Sequence, residues 1–507
     1  MKVAVADVGT NSSHLLLAEG GLAGGAYRVL DSLKDRTRLG ECLDPGGHLT
    51  PEGEDRLASA LLRFRELSGA AGIPELRVYA TSALREAPNG AEVAARMRER
   101  TGVYPVIISG EREGQLTYLG AAHSIEFGAD NVLLDLGGGS LEFARGGPRE
   151  AAEVLSLPLG AIRMTRAFLA QEPAGRKAVA ALQAQVRSLL APHAARFQVG
   201  PQTRVVLSSG TAEAAATAIS AARRQEGGHV NGVGFTVAEL AGLLEQTRAA
   251  RPAARARIPG FERRADTIVA GLAVLHAALD VLGAVQLTVS EGALREGMLI
   301  EELAQFHSYS GGLSVRQRSV MATAERFGAN LAHASQVAAL AQGLLERLVS
   351  AGEPFPDEAS SLVRAAAALH ESGLIVSVSS HHKHSAYLIR HADLRGFSPR
   401  EQELIAQVAR YHRRSPPKAS HPEYMVLPAA DRALVSRLSA VLRVADGLDR
   451  AHAGTSRLGA LRREGKGWSL DLRGATPLDL LGAREKADLW AREFGPLTLR
   501  RLPDDGT

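Results

Sequence analysis

Val132-Leu133-Leu134-Asp135-Leu136-Gly137-Gly138-Gly139-Ser140 decides the fold: an apolar strand that stops at Asp135, turns through three glycines to a hydroxyl, and resumes as Leu141-Glu142-Phe143-Ala144. The same design opens the chain, where Val3-Ala4-Val5-Ala6-Asp7-Val8-Gly9-Thr10-Asn11-Ser12 leads into Leu15-Leu16-Leu17. Both stretches read as β-hairpins whose turns carry small polar residues. A repeated unit of this kind predicts paired lobes, and three consecutive glycines predict that another group approaches the backbone closely.

Working outward, Leu76-Arg77-Val78-Tyr79-Ala80 reads as a strand entering the turn Thr81-Ser82-Ala83, and Val106-Ile107-Ile108 as another ending at Ser109-Gly110. Helical patterns over 52–67 and 91–100 alternate with them, as in an α/β lobe. The first lobe is assigned to 1–129. A second, 130–307, has Val205-Val206-Leu207-Ser208-Ser209-Gly210-Thr211 as a strand-to-helix turn and a further strand from Gln286. The polar stretch 308–312 marks a boundary. Beyond it, 313–455 reads as a helical domain broken at Pro416-Pro417, with almost no strand signal until Trp468; 456–507 reads as a small α+β segment.

With 507 residues the chain exceeds one ordinary core of ~100–200 residues. Its 45% hydrophobic and 22% charged residues are those of a globular protein, with 4% aromatics implying small-residue packing. A lone Cys42 excludes internal disulfides and a cysteine-rich zinc site, and reads as a buried core thiol. The opening apolar run is interrupted at Asp7, too early for a signal-peptide core or membrane span, so a cytoplasmic location and no membrane partner are expected. The net charge of +4 is compatible with a polyanionic ligand without requiring one.

A strand that stops at Asp and turns through Gly and hydroxyl residues presents N–H groups to an anion, while the Asp can hold a cation or its water. Two such hairpins face to face could grip a phosphate chain. No Walker-type Gly-Lys-Ser/Thr loop and no Gly-x-Gly-x-x-Gly opening a helix is present, which argues against P-loop and dinucleotide enzymes. Nucleic acid is disfavoured as a partner, because the basic segments lack interleaved aromatics.

Six blocks in order, DVGTNSSHLLL, ATSALREAPNG, SGEREGQLTYLG, LLDLGGGSLEFA, SSGT and VSEGALREGML, resemble the exopolyphosphatase / guanosine pentaphosphate phosphohydrolase (Ppx/GppA) family in its long form. The resemblance implies two actin-like ATPase (ribonuclease H-like) lobes, an all-α HD-like domain and a small C-terminal α+β segment. It implies Mg²⁺-dependent release of terminal orthophosphate from inorganic polyphosphate, with guanosine pentaphosphate as the alternative substrate and a homodimer as the assembly. An actin-like kinase, or a non-catalytic sensor of these polyanions, is a more distant reading.

Carried onto this sequence, the resemblance puts the catalytic carboxylate at Glu113, with Glu111 as the local alternative. Asp135 and Glu142, joined by Asp7, are the expected Mg²⁺ ligands. Arg85, which could equally pair with Glu86, is expected to face the phosphates, with Thr10, Asn11, Ser12, Gly138, Gly139 and Ser140 cradling them. Gly114 departs from the family's usual alanine and is expected to weaken the helix start. In the C-terminal half, His333, His370-Glu371, His412 and Asp446 follow the order of HD-type phosphohydrolases. Glutamate in place of the usual aspartate is expected to unsettle two-metal geometry, leaving a degenerate HD site of His333, His370, Glu371 and Asp446. His381, His382, Lys383, His384, Arg410, Arg413, Arg414 and Lys418 are candidates for a polyanion channel.

Overall fold

The computed structural model describes residues 1–21, 26–223, 229–304 and 313–503; the boundary stretch 308–312 lies outside them. The chain divides into two compact units, Met1–Val315 and Arg316–Thr507.

Within the first unit the two hairpins seed two sheets of one design. β1 (Lys2–Val8) and β2 (Ser13–Gly20) form the first hairpin, extended by β3 (Tyr27–Asp35), β4 (Leu76–Ala80) and β5 (Val106–Ile107) in the order β3-β2-β1-β4-β5. β6 (Asn131–Leu136) and β7 (Leu141–Gly146) form the second, extended by β8 (Ala151–Leu157), β9 (Arg204–Ser208), β10 (Gly234–Thr236) and β11 (Gln286–Val289) in the order β10-β11-β9-β6-β7-β8. In both sheets the hairpin is antiparallel and the next strand joins parallel to its first member, β4 on β1 and β9 on β6. The edge strands β3 and β8 escaped the sequence reading because their charges break the apolar alternation. Such charges are usual on edges, where they discourage further pairing.

Strand periodicity aims the acidic residues. Ala4, Ala6 and Val8 point into a core closed by the Pro51–Ala70 helix, so Val3, Val5 and Asp7 share the opposite face. That face is covered by Leu116 of the Gly110–Ala122 helix and by Leu294, Met298, Leu299, Ile300 and Leu303 around the Leu294–Ala304 helix. In the second sheet, Val132, Leu134 and Leu136 face the Ile268–Leu282 helix and its neighbours, while Leu133 and Ala144 face Tyr118 and Ala121 of the Gly110 helix. Asp135 and Glu142, which pair across the β6–β7 ladder, lie on that second face. The Gly110 helix is thus packed against both sheets, on the side where each ends in acid.

The Gly110 helix can lie this close because of a glycine. A methyl group at Gly114 would stand 2.5 Å from Val154 Cγ1 and 3.7 Å from Glu142 Cβ. The expected weak helix start is in fact a close approach to β7 and β8, with Ser109 capping the helix by accepting from the Arg112 N–H at 3.1 Å.

The second unit packs the Leu331–Ser350, Ala359–Leu369, His381–Arg390, Pro399–Arg410 and Ala429–Gly447 helices around one core. Trp468, Leu470 and Leu472 of its three-stranded sheet join that core. The sheet runs β12 (Arg457–Glu464), β13 (Gly467–Arg473), β14 (Leu497–Arg501). Its first strand precedes Trp468, where no strand was expected, because Arg462, Arg463 and Glu464 mask an edge strand. Among the described residues no helix is long and apolar enough to cross a membrane.

Candidate functional site

Glu113 enters the site from the first turn of the Gly110 helix and is buried. The turn after β4 delivers Arg85 to it: Arg85 Nη1 donates to Glu113 Oε2 at 2.8 Å and to the Ile108 carbonyl at 3.1 Å. Glu86, the alternative partner, instead accepts from Ser82 Oγ at 2.6 Å and forms an ion pair with Arg163. Burial raises the Glu113 carboxyl above its usual range, and Arg85 opposes the shift.

Three further carboxylates share this environment. Asp7 is pushed up to about 7, first by burial and then, against the opposing Arg295, by Glu296 and Glu113. Asp135 is likewise pushed up to about 7 by burial and by Glu113. Glu142 is raised well above the usual range by burial, Glu113 and Asp135. Hydroxyls of Ser140 and Ser156 support Glu142, the latter bonding Oε1 at 2.8 Å, while its buried Oε2 has no partner. Four neighbouring carboxyl groups, Glu113 and Glu142 buried and Asp7 and Asp135 partly so, cannot all ionise beside two arginines without further positive charge. Hard oxygen donors and an unpartnered carboxylate oxygen suit a divalent cation by type, although Asp7, Asp135 and Glu142 are not among the described groups whose ligand atoms lie within 4.8 Å of one another.

The two turns meet above these acids. Thr10 is held by its carbonyl, which accepts from the Gly40 N–H at 2.9 Å, and the Asn11 carbonyl accepts from Arg38 N–H at 3.0 Å. A methyl group on Gly138 would lie 3.2 Å from Thr10 Cβ, and one on Gly139 would lie 2.1 Å from Ser82 Oγ. The group that approaches the glycines is therefore the other hairpin and its neighbouring turn. Thr10 Oγ1 is buried without a partner, whereas Asn11 is partly exposed and Ser12 Oγ is 2.8 Å from His14 Nε2. Ser140 is buried beneath the turn, supporting Glu142.

Several cations and one acid were not singled out in the sequence. Arg295 lies 3.6 Å from Asp7. Arg264 lies over the backbone at Gly210, where an added methyl group would stand within 1.6 Å of its Nη2. Glu213, in the first turn of the Gly210–Ala222 helix, is raised by burial and countered by Arg264, with Lys34 and Arg295 also acting on it. Arg295 stood in the sixth matched block, and Glu213 two residues past the fifth. Arg264 sits in a turn of no regular pattern, and Lys34 on the unrecognised β3, so neither had a signal.

In the second unit, His333, His370 and Asp446 are brought together. His412 is buried with its Nε2 3.3 Å from His381 Nε2. On the basic face, Arg413 Nη1 is 3.2 Å from His381 Nδ1, and Arg410 forms an ion pair with Glu423. His382 falls to about 4 through burial, then Arg413, His381, Lys383 and Arg410, so it is neutral near pH 7. Lys383, Arg414 and Lys418 are exposed, His384 partly so. The positive charge around His382 therefore comes from Arg413, Lys383 and Arg410.

Residues 21–306 match the Ppx/GppA phosphatase family, and residues 315–481 match Ppx/GppA phosphatase, domain III. The chain is 35% identical over 306 residues to exopolyphosphatase 1 of Mycobacterium tuberculosis (strain ATCC 25618 / H37Rv), covering 60% of this chain and 88% of that protein. It is 34% identical over 326 residues to exopolyphosphatase 1 of Mycobacterium leprae, covering 64% and 95%. Among solved structures, a Ppx/GppA family member of Aquifex aeolicus superposes with a TM-score of 0.52 at 26% identity, covering 61% of this chain and 99% of that one. An exopolyphosphatase of Cytophaga hutchinsonii superposes with a TM-score of 0.56 at 24% identity, covering 61% and 99%, and supports the fold.

Proposed function

We propose that this chain, which belongs to the Ppx/GppA phosphatase family, is an exopolyphosphatase: a phosphoanhydride hydrolase that releases terminal orthophosphate from inorganic polyphosphate. The observation that carries the reading is the placement of Glu113 on a helix whose apolar residues join the cores under both sheets, facing the acids that end each hairpin. Hydrolysis of a phosphoanhydride asks for an aligned water and for charge stabilisation on the transferred group, and little covalent chemistry from the protein.

Glu113 is the group that orients and deprotonates the attacking water. Its pKa, raised by burial, makes it a better base than an exposed glutamate. Arg85 holds it before substrate arrives. A terminal phosphate offers the guanidinium two oxygens of higher charge than a carboxylate, so binding draws Arg85 away and leaves Glu113 free to take a proton from water. Thr10, Asn11, Ser12 and the backbone at Gly138 and Gly139 cradle the terminal phosphate, with Ser140 steadying Glu142. Arg264, at the start of the Gly210 helix, supplies a further phosphate contact. Asp7, Asp135 and Glu142 would hold Mg²⁺, which, when bound, neutralises the phosphate oxygens and the carboxylates together. Lys383, Arg413, Arg414 and Lys418 offer a long polyanion a second foothold on the second unit. A cytoplasmic homodimer completes the proposal.

The test is Mg²⁺-dependent orthophosphate release by wild type and Glu113→Gln, with polyphosphate and guanosine pentaphosphate offered separately at equal terminal phosphate. The expected result is faster release from polyphosphate and a loss of about 10²–10⁴-fold in the variant. Preference for the nucleotide would reassign the substrate; wild-type rates in Glu113→Gln would remove its role. Sedimentation of the full chain tests the dimer.

A further inference from the structure

The second unit holds a convergence of histidines that the proposed hydrolysis does not use. His333 near the start of the Leu331 helix, His370 at the end of the Ala359 helix and Asp446 near the end of the Ala429 helix are 3%, 1% and 6% exposed. Each offers a ligand atom, and these lie within 4.8 Å of one another. His333 Nε2 is 3.8 Å and His370 Nε2 3.7 Å from Asp446 Oδ1, beyond hydrogen-bond reach, and neither nitrogen has a partner.

The far side of each ring is committed. His333 Nδ1 lies 2.8 Å from Asp449 Oδ2, and His370 Nδ1 lies 2.6 Å from the Ala367 carbonyl. An acceptor at Nδ1 fixes the proton there and leaves the Nε2 lone pair facing inward, the arrangement that orients metal-binding imidazoles. Two buried imidazole nitrogens and a carboxylate oxygen grouped this closely call for a cation, a proton or a metal ion, to join them. Two ligands bound to one ion at ~2.0–2.2 Å with a tetrahedral or wider angle stand roughly 3.3–3.8 Å apart, which spans both nitrogen-to-Oδ1 separations here.

We propose that His333, His370 and Asp446 bind a single first-row transition-metal ion, with Lys486 fixing the Asp446 carboxylate for it. Imidazole nitrogens favour such an ion over Mg²⁺. Glu371 lies at the rim, its Oε2 3.9 Å from His333 Nε2 and its side chain 20% exposed, where it completes the coordination directly or through water. The second oxygen of Asp446 is taken: Lys486, which ends the Pro477–Glu485 helix, donates its ammonium to Oδ2. That ion pair leaves Oδ1 as the oxygen turned toward the two histidines. His412 is occupied with His381 rather than with the trio. The ion ties three helices of one core together, so its role is structural.

The test uses the metal-stripped full chain titrated with Co²⁺ in excess Mg²⁺, which keeps the acidic cleft of the first unit occupied. The expected result is a visible d–d band from nitrogen ligation with an end point of one Co²⁺ per chain, and a rise in the thermal midpoint of the second unit. His370→Ala and Asp446→Asn, checked by circular dichroism, should lose the band, while Glu113→Gln should keep it. Absence of the band in wild type, or its survival in His370→Ala, overturns the site.

Discussion

Replacing Asp135 by asparagine should make the first unit more stable without metal at alkaline pH while removing its response to Mg²⁺. Asp135 titrates near 7 in the folded chain against an ordinary 3.8, because burial and Glu113 penalise the charge. Folded protein therefore holds a proton that unfolded chain has lost, and stability falls as pH rises from about 4 to about 7. About three pKa units at 1.36 kcal/mol each place the cost of ionising this one carboxyl at about 4 kcal/mol above pH 7. At ~2 °C per kcal/mol, the low end expected for a large unit, that is a midpoint change on the order of 8 °C. The assay is a thermal melt of wild type and Asp135→Asn at pH 6 and pH 8.5, in chelator and in Mg²⁺. Wild type without metal should melt lower at pH 8.5 than at pH 6, by the last one of those three units for Asp135, and regain the loss in Mg²⁺; asparagine should remove the Mg²⁺ response and reduce the pH response to the part that belongs to Asp7, which titrates in the same range. A Mg²⁺-induced shift that is the same at both pH values, or that persists in Asp135→Asn, would refute the reasoning.

Three further outcomes are expected. Arg85→Lys keeps the charge but loses the planar fork, so kcat/KM for polyphosphate should drop at least tenfold while the melt stays near wild type. Gly114→Ala forces a methyl group against Val154 Cγ1, costing ~1–3 kcal/mol in the thermal midpoint even though alanine is the better helix former. Arg255 is fully buried and donates to the Thr247 and Ala265 carbonyls at 2.9 and 3.2 Å; Arg255→Ala removes both bonds and leaves a cavity, and chemical denaturation should register a loss of ~2–4 kcal/mol.

The sequence displayed those parts of the fold whose residues carry their own geometry. Both hairpins were legible because Asp, Gly and hydroxyl residues at fixed offsets specify a strand end and a turn, and Asp7, Asp135 and Glu142 could be placed on facing strands from periodicity. What periodicity does not state is which helix lies over them. The selection of Glu113 rested on family resemblance, and its position against both sheets appears only once Leu116, Tyr118 and Ala121 are seen on different faces of one helix. Gly114 was misjudged for the same reason: local propensity counts a missing methyl group as a cost, whereas Val154 makes it a requirement. Arg264 reaches Gly210 across many residues, a contact made by tertiary packing alone. The edge strands β3, β8 and β12 were hidden by the charges that protect them.

The Leu294 helix has a consequence for how the chain acquires its shape. It belongs by sequence to the second lobe, yet Met298, Leu299, Ile300 and Leu303 close the apolar face of β1 and β2. Its approach is so close that a methyl group at Gly297 would lie 1.8 Å from the Leu116 carbonyl oxygen. A nascent chain that has emerged only as far as residue 130 therefore carries a finished hairpin with one bare side. The whole second sheet must be made before the piece that covers it leaves the ribosome. During synthesis the first lobe waits for the last helix of the second, and ribosome-stalled chains ending before and after residue 304 should differ sharply in protease resistance at their N-termini.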